Sequence, residues 1–252
     1  MISVKSIVKK YGNKPVINDV SLTIPKGKII AFIGSNGAGK STLLSIITRT
    51  LSKDSGEIYL DEKELSTQKS EDISKRLSIL KQSNHLNVRL TVRELVSFGR
   101  FPYSKGKLTT EDHSKVDEAL EYLGISHLQD SYLDELSGGQ RQLAHIAMVV
   151  AQDTEYVFLD EPLNNLDMKH SVQIMKVLRK LVHELGKTVL VVIHDINFVS
   201  YYADYVIAMK QGQIMHQGEN KEIMTEHILK EIYDMDIKIQ NIDEKNVCLY
   251  YE

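Results

Sequence analysis

The segment "GSNGAGKST", residues 34–42, holds the residue types needed to grip a polyphosphate. Gly34, Gly37 and Gly39 free the backbone to turn its N–H groups onto phosphate oxygens, with Ser35, Asn36 and Ala38 completing the loop. Lys40 can then reach the β- and γ-oxygens, and Ser41, followed by Thr42, offers a hydroxyl to Mg²⁺. Such a loop needs a strand before it and a helix after it. "IIAFIG" and the run beginning near Lys40 supply them.

"YVFLDEP" holds the complementary chemistry. Tyr156 to Leu159 form an expected buried strand, from whose carboxyl end Asp160 and Glu161 emerge, where ligands of open α/β sheets bind. Asp160 can hold Mg²⁺ and Glu161 can polarise an attacking water. His194, at the end of "VLVVIHD", can hydrogen-bond a γ-phosphate or that water. Gln82, after the short strand "LSIL", carries an amide able to touch Mg²⁺ or water, and Tyr11 beside Gly12 can stack on adenine. Together these residues predict ATP and Mg²⁺ as ligands.

A second anion-ready feature lies in "ELSGGQRQLAH", residues 135–145. Ser137, Gly138 and Gly139 head an apolar-periodic run, Leu143, Ile146, Ala147 and Val150, which predicts a helix whose bare N-terminus can receive a negative charge. One chain of this size thus carries two such helix starts.

The elements that must hold these residues alternate. "ISVKSIV" and "VINDVSLTI" are expected strands, then "IIAFIG", a helix, and "GEIYLD" as a further strand. Residues from about 68 to 135 are expected to be helical, with "TVRELVSFGR" and "EDHSKVDEALEYLGI" the clearest segments. After the glycine pair come a helix, "YVFLD", a helix through "MKHSVQIMKVLRKLVHEL", the strand "TVLVVI", another helix and "YVIAM". Strands alternating with helices predict an α/β core with a parallel sheet. The tail from Glu219 is expected to add a helix, "HILKEIYDM", and a strand pair around "IDEKN".

Composition limits the alternatives. The 252 residues are 42% hydrophobic, enough to bury a substantial core, with a formal net charge of −3 and basic residues scattered rather than striped. A nucleic-acid partner is therefore not expected. The single Cys248 permits no internal disulfide, and no secretory leader is apparent, which predicts a reducing cytoplasm. Apolar runs such as "TVLVVI" are far short of the roughly 20 residues that span a bilayer.

"GSNGAGKST", a glutamine after a strand, "LSGGQ", "YVFLDEP", "NNLD" and a late strand-end histidine, in this order, resemble the ATP-binding cassette ATPases over nearly the whole chain. The resemblance implies one domain, 1–252, of the P-loop NTPase (RecA-like) type. Within it, approximately 1–80 and 153–252 would form a mainly parallel core with an antiparallel β subdomain, and approximately 83–152 a helical signature subdomain. It also implies that two copies pair head to tail, so that Ser137, Gly138, Gly139 and Gln140 of one close on the ATP held by Lys40 of the other, with Asp167 across the seam. The commoner "SALD" form is replaced here by Asn164 and Asn165 before Leu166 and Asp167. "LTVRELVSFGRFPYSKG", residues 90–106, is similar to the equivalent stretch in ATPases of bacterial importers for ferric siderophores, haem and cobalamin, and the overall resemblance is to the ferric catecholate siderophore group, including petrobactin-type systems. Such ATPases dock peripherally, on the cytoplasmic face, beneath membrane permease subunits served by an extracytoplasmic binding protein. The segment near Arg100 to Tyr103 is expected to meet the permease. A P-loop kinase would share the phosphate loop but lack "LSGGQ".

Overall fold

The structure, a computed structural model, describes residues 1–82, 88–242 and 245–250. Residues 83–87 of the expected helical region, and 243–244 of the expected strand pair, lie outside them. Two compact units emerge, one formed by Met1–Gln68 with Leu181–Glu252, the other by Lys69–Lys180.

The first unit contains two main sheets. One is antiparallel, in the order Lys14–Ile24, Ile2–Tyr11, Ser55–Leu60, Lys63–Glu64. In the other, Ile29–Ile33 lies between Thr188–Val192 and Tyr205–Lys210, both parallel to it. Every residue of Ile29–Ile33 and of Thr188–Val192 is buried. Strands covered on both faces need no polar alternation, so both read as continuous apolar runs.

An antiparallel strand, Gln213–Glu219, pairs with Tyr205–Lys210, and the sequence reading had no place for it. The turn between them is Gln211–Gly212, both at positive φ (51° and 79°), which is the two-residue geometry that matches strand twist. Near the C-terminus, Lys238–Ile242 and Lys245–Leu249 form the expected strand pair. It is tied to the Ile196–Tyr202 helix by the Asn197 amide, which accepts from Cys248 N at 2.7 Å and donates to Cys248 O at 3.2 Å.

The second unit pairs Leu77–Leu80 in parallel with Tyr156–Asp160 and packs helices Val92–Ser97, Thr110–Tyr122 and Gly138–Ala151 together through Leu95, Val96, Val116, Leu120, Leu143 and Ile146. The region from 68 to 135 is thus not helical throughout. The strand expected at "LSIL" is present as Leu77–Leu80, and its hydrogen bonds come from Tyr156–Asp160, a partner that local periodicity cannot identify.

Arg100 also departs from expectation. It is 4% exposed, donating through Nε to Asp112 Oδ1 at 2.8 Å and through Nη1 to Ala151 O at 3.0 Å. In the 90–106 stretch the exposed aromatic side chains are Phe98 and Phe101, with Tyr103 at the margin. Gly99 lies so close to the Gly138–Ala151 helix that a Cβ there would stand 2.1 Å from Met148 O. Among the described residues, no helix is long and apolar enough to cross a membrane.

Candidate functional site

In the first unit the buried strand Ile29–Ile33 empties into the expected loop, and the helix Lys40–Ile47 follows it. Gly34 has φ 137°, and a Cβ would sit 2.0 Å from Met209 O. Gly39, at φ 100°, would meet Ile17 Cδ1 at 2.8 Å and Val16 O at 2.9 Å. Both positions therefore exclude any side chain. Gly39 is also the N-cap and makes no side-chain cap, and a helix start of this kind directs its opening N–H groups toward an anion.

Ser35, Asn36 and Gly37 are exposed at the loop crest, Ala38 is buried, and Ser41 and Thr42 are half-buried. Lys40 is 5% exposed, and its Nζ crosses the loop to Gly34 O at 2.7 Å and Ser35 O at 3.0 Å. The ammonium is thus held over the loop's own backbone, where a phosphate oxygen would compete with those carbonyls.

Tyr11 is 55% exposed, with Lys9 Nζ 5.7 Å from its ring centroid. His194 is exposed two residues beyond the Thr188–Val192 strand. Asp195 next to it caps the Ile196–Tyr202 helix, accepting from Asn197 N at 2.8 Å.

The second unit gathers the remaining residues. Asp160, 7% exposed, ends the buried Tyr156–Asp160 strand. Glu161 follows at φ 52°, a left-handed conformation that costs a non-glycine residue about 1–2 kcal/mol. Strain of that kind persists where the surroundings over-determine it, and here two side-chain amides hold the carboxylate. Gln82 Nε2 donates to Glu161 Oε2 at 2.5 Å, and Asn164 Nδ2 donates to the same oxygen.

Ser137 is the N-cap of the Gly138–Ala151 helix within a reciprocal capping box: its hydroxyl accepts from Gln140 N at 3.3 Å, and Gln140 Oε1 accepts from Ser137 N at 3.0 Å. Gly139 is buried against the ring of His170. Asp167 Oδ1 accepts from both the backbone N and the ring Nδ1 of His170, each at 2.8 Å. These bonds, the backbone one foremost, hold the Asp167 carboxyl below the usual carboxylate range.

Gln82 and Glu161 are therefore in direct contact, as are Ser137 and Gln140. Two residues of this region were missed in the sequence. Asn164 was visible only as a departure from "SALD", and His170 only as a histidine three positions after Asp167.

A model of the ABC transporter family matches residues 17–164. The petrobactin import ATP-binding protein YclP of Bacillus subtilis (strain 168) is 57% identical over 251 residues, covering 100% of each chain. The iron(3+)-hydroxamate import ATP-binding protein FhuC of the same organism is 41% identical, covering 96% of this chain and 91% of the relative. Among solved structures, a dimeric post-hydrolysis ATP-binding cassette bound to ADP and Pi is similar with a TM-score of 0.77 at 29% identity, covering 87% of this chain and 99% of that one.

Proposed function

The chain belongs to the ABC transporter family, and on that footing we propose that it is the ATP-hydrolysing subunit of a bacterial importer for iron(III)-siderophore complexes. Two glycine-lined helix starts in separate compact units carry this assignment. A chain with one phosphate loop needs one such terminus for its own nucleotide; the second fits a nucleotide presented by another copy. A similar cassette is a dimer with ADP and Pi.

In this reading Lys40 and the N–H groups of Gly34 to Thr42 hold the β- and γ-phosphates, and Tyr11 stacks on the adenine. The hydroxyl of Ser41, the carboxylate of Asp160 and the amide oxygen of Gln82 are hard oxygen donors of the kind Mg²⁺ takes, and that ion, when bound, offsets phosphate charge. Donation of the Gln82 amide nitrogen to Glu161 leaves its oxygen for that task. Glu161 draws the proton from the attacking water, and His194 steadies the γ-phosphate. Ser137, Gly138, Gly139 and Gln140 close on the ATP of a second copy, with Asp167 at the seam, so bound ATP joins the pair and hydrolysis releases it.

Phe98, 52% exposed, and Phe101, 60% exposed, form the face that meets a membrane permease. The chain would then sit peripherally on the cytoplasmic side, with an extracytoplasmic binding protein delivering cargo. Identity to a petrobactin import ATP-binding protein supports the choice of an iron chelate.

Deleting the chain and supplying iron as a ferric catecholate, a hydroxamate chelate or haem tests the cargo. Selective loss of catecholate use, restored by the native chain and not by Lys40→Ala, is the expected result. Unchanged use of every iron source, with failure on cobalamin or another solute, would move the cargo elsewhere and leave the ATPase intact. For the chemistry, Glu161→Gln is expected to bind ATP normally, slow hydrolysis by about 100-fold or more and accumulate an ATP-bound dimer. Native turnover in that variant would remove Glu161 from the role of base.

A further inference from the structure

We infer that His170 is a positioning residue that locks Asp167 to Gly139, so that engagement of Asp167 by a second copy and presentation of the Gly138 and Gly139 N–H groups are one event. The inference rests on the reading that these glycines receive the partner's ATP. Gly139 is buried, and a Cβ built on it would stand 2.3 Å from His170 Cδ2, 2.4 Å from Cγ and 2.7 Å from Nε2. The imidazole thus occupies the space where any other side chain would begin, in direct contact with the glycine backbone.

The ring cannot swing away freely. Its Nδ1 lies 2.8 Å from Asp167 Oδ1, and a carboxylate only accepts, so Nδ1 carries the hydrogen. The same oxygen takes the His170 backbone N–H, which leaves Oδ2 as the oxygen for an outside donor. Asn165 O also lies nearby, 4.0 Å from where a Cβ on Gly138 would stand. Asp167 itself remains 64% exposed by side chain, open to a partner while tied inward. Capping of the Met168–His183 helix explains the backbone bond from His170 N, but not the ring pressed on Gly139.

The test uses the full chain in the Glu161→Gln background. His170→Phe keeps an aromatic ring and loses Nδ1; His170→Ala loses both; His170→Asn keeps a donor at the Nδ1 position. Fluorescent-nucleotide titration reads ATP affinity of the monomer, sedimentation reads ATP-dependent dimerisation, and the same substitutions with Glu161 restored give kcat and KM. Expected are monomer affinities within about twofold, and dimerisation weakened about tenfold by Phe and Ala, the scale of one lost charge-assisted hydrogen bond. Asn should recover part of that loss. With Glu161 restored, kcat should fall at nearly constant KM. A merely structural role would lower thermal stability and leave the dimer constant of the folded fraction unchanged. If Glu161→Gln dimerises with ATP and the His170 variants do so equally well, the inference is overturned. If Glu161→Gln never dimerises, the head-to-tail reading fails first and the inference with it.

Discussion

The side-chain amide of Asn164 donates to Oε2 of Glu161, the same oxygen that Gln82 holds at 2.5 Å. Two neutral donors on one oxygen fix the plane of the carboxylate. A serine at 164, as in "SALD", is too short to make the same reach. Asn164→Ser is therefore expected to lower kcat about threefold to tenfold at constant KM for ATP, the scale of one neutral hydrogen bond. Asn164→Asp sets a second carboxylate beside Glu161, and like charges favour the protonated form. Its pH–rate profile should rise at higher pH than that of the native chain. Coincident profiles for native and Asp variants would show that residue 164 does not touch the base.

Ser137 is expected to act on the other copy's nucleotide. Ser137→Arg loses the cap to Gln140 N, worth about 1 kcal/mol, but should retain ATP binding by the monomer while turnover falls sharply. Mixing Ser137→Arg chains with Lys40→Ala chains places both lesions in one composite site and leaves the other whole. Phosphate release should reappear in the mixture. No recovery at any mixing ratio, with both variants folded, would assign Ser137 to its own chain's nucleotide.

The buried Arg100–Asp112 pair predicts a stability effect away from the chemistry. Arg100→Met leaves the Asp112 carboxylate enclosed with its guanidinium partner gone, and should destabilise by about 3–5 kcal/mol in urea unfolding. Arg100→Met with Asp112→Leu should recover part of that cost. The Asp112 carboxyl is held below the ordinary range, chiefly by the Thr109 backbone N–H and further by Arg100. Its contribution is therefore full above the unfolded carboxyl's pKa and is lost as pH falls through the lower folded value. A single Arg100→Met cost under about 0.5 kcal/mol, the size of an exposed pair, would contradict this placement.

His145, 6% exposed in the Gly138–Ala151 helix, has no hydrogen-bond partner for Nδ1 among the described residues. Burial, with the Arg141 charge, pushes its pKa below the usual imidazole value. The unfolded chain then takes the proton first on acidification. Stability from the neutral ring is complete above the unfolded value of about 6.5 and declines as pH drops below it. His145→Leu should flatten the melting temperature between pH 7 and pH 5 and cost nothing, or gain about 1 kcal/mol, at pH 7.5. An unchanged acid limb in the variant would assign that limb to other groups.

The phosphate loop, the Ser137 helix start and the Asp160–Glu161 strand end were legible because each is a contiguous run whose chemistry and local conformation agree. Relations across the fold were not. The partner of the expected Leu77–Leu80 strand lies nearly 80 positions later, and Arg100 looks like a surface residue until Asp112 and Ala151 O enclose it. The grip of Asn164 on Glu161 requires the backbone to turn left-handed at Glu161, which no residue preference announces. The Gln211–Gly212 hairpin was a missed local signal: a glycine two residues after an apolar strand, followed by alternating residues.

The contact at Gly99 has a mechanical meaning. Because Gly99 brings backbone against backbone at Met148, and Arg100 is bonded to Ala151 O, the aromatic turn at Phe98–Phe101 is clamped to the trailing end of the helix that Ser137 begins. That helix has 14 residues, a rod of about 20 Å at 1.5 Å per residue. No flexible side chain intervenes at the Gly99–Met148 contact to soak up displacement, and close-packed interiors yield little. The helix is therefore expected to act as a pushrod: a thrust at Phe98 or Phe101 would arrive at Ser137 with little slack, and a recoil at Ser137 would travel back to the aromatic turn.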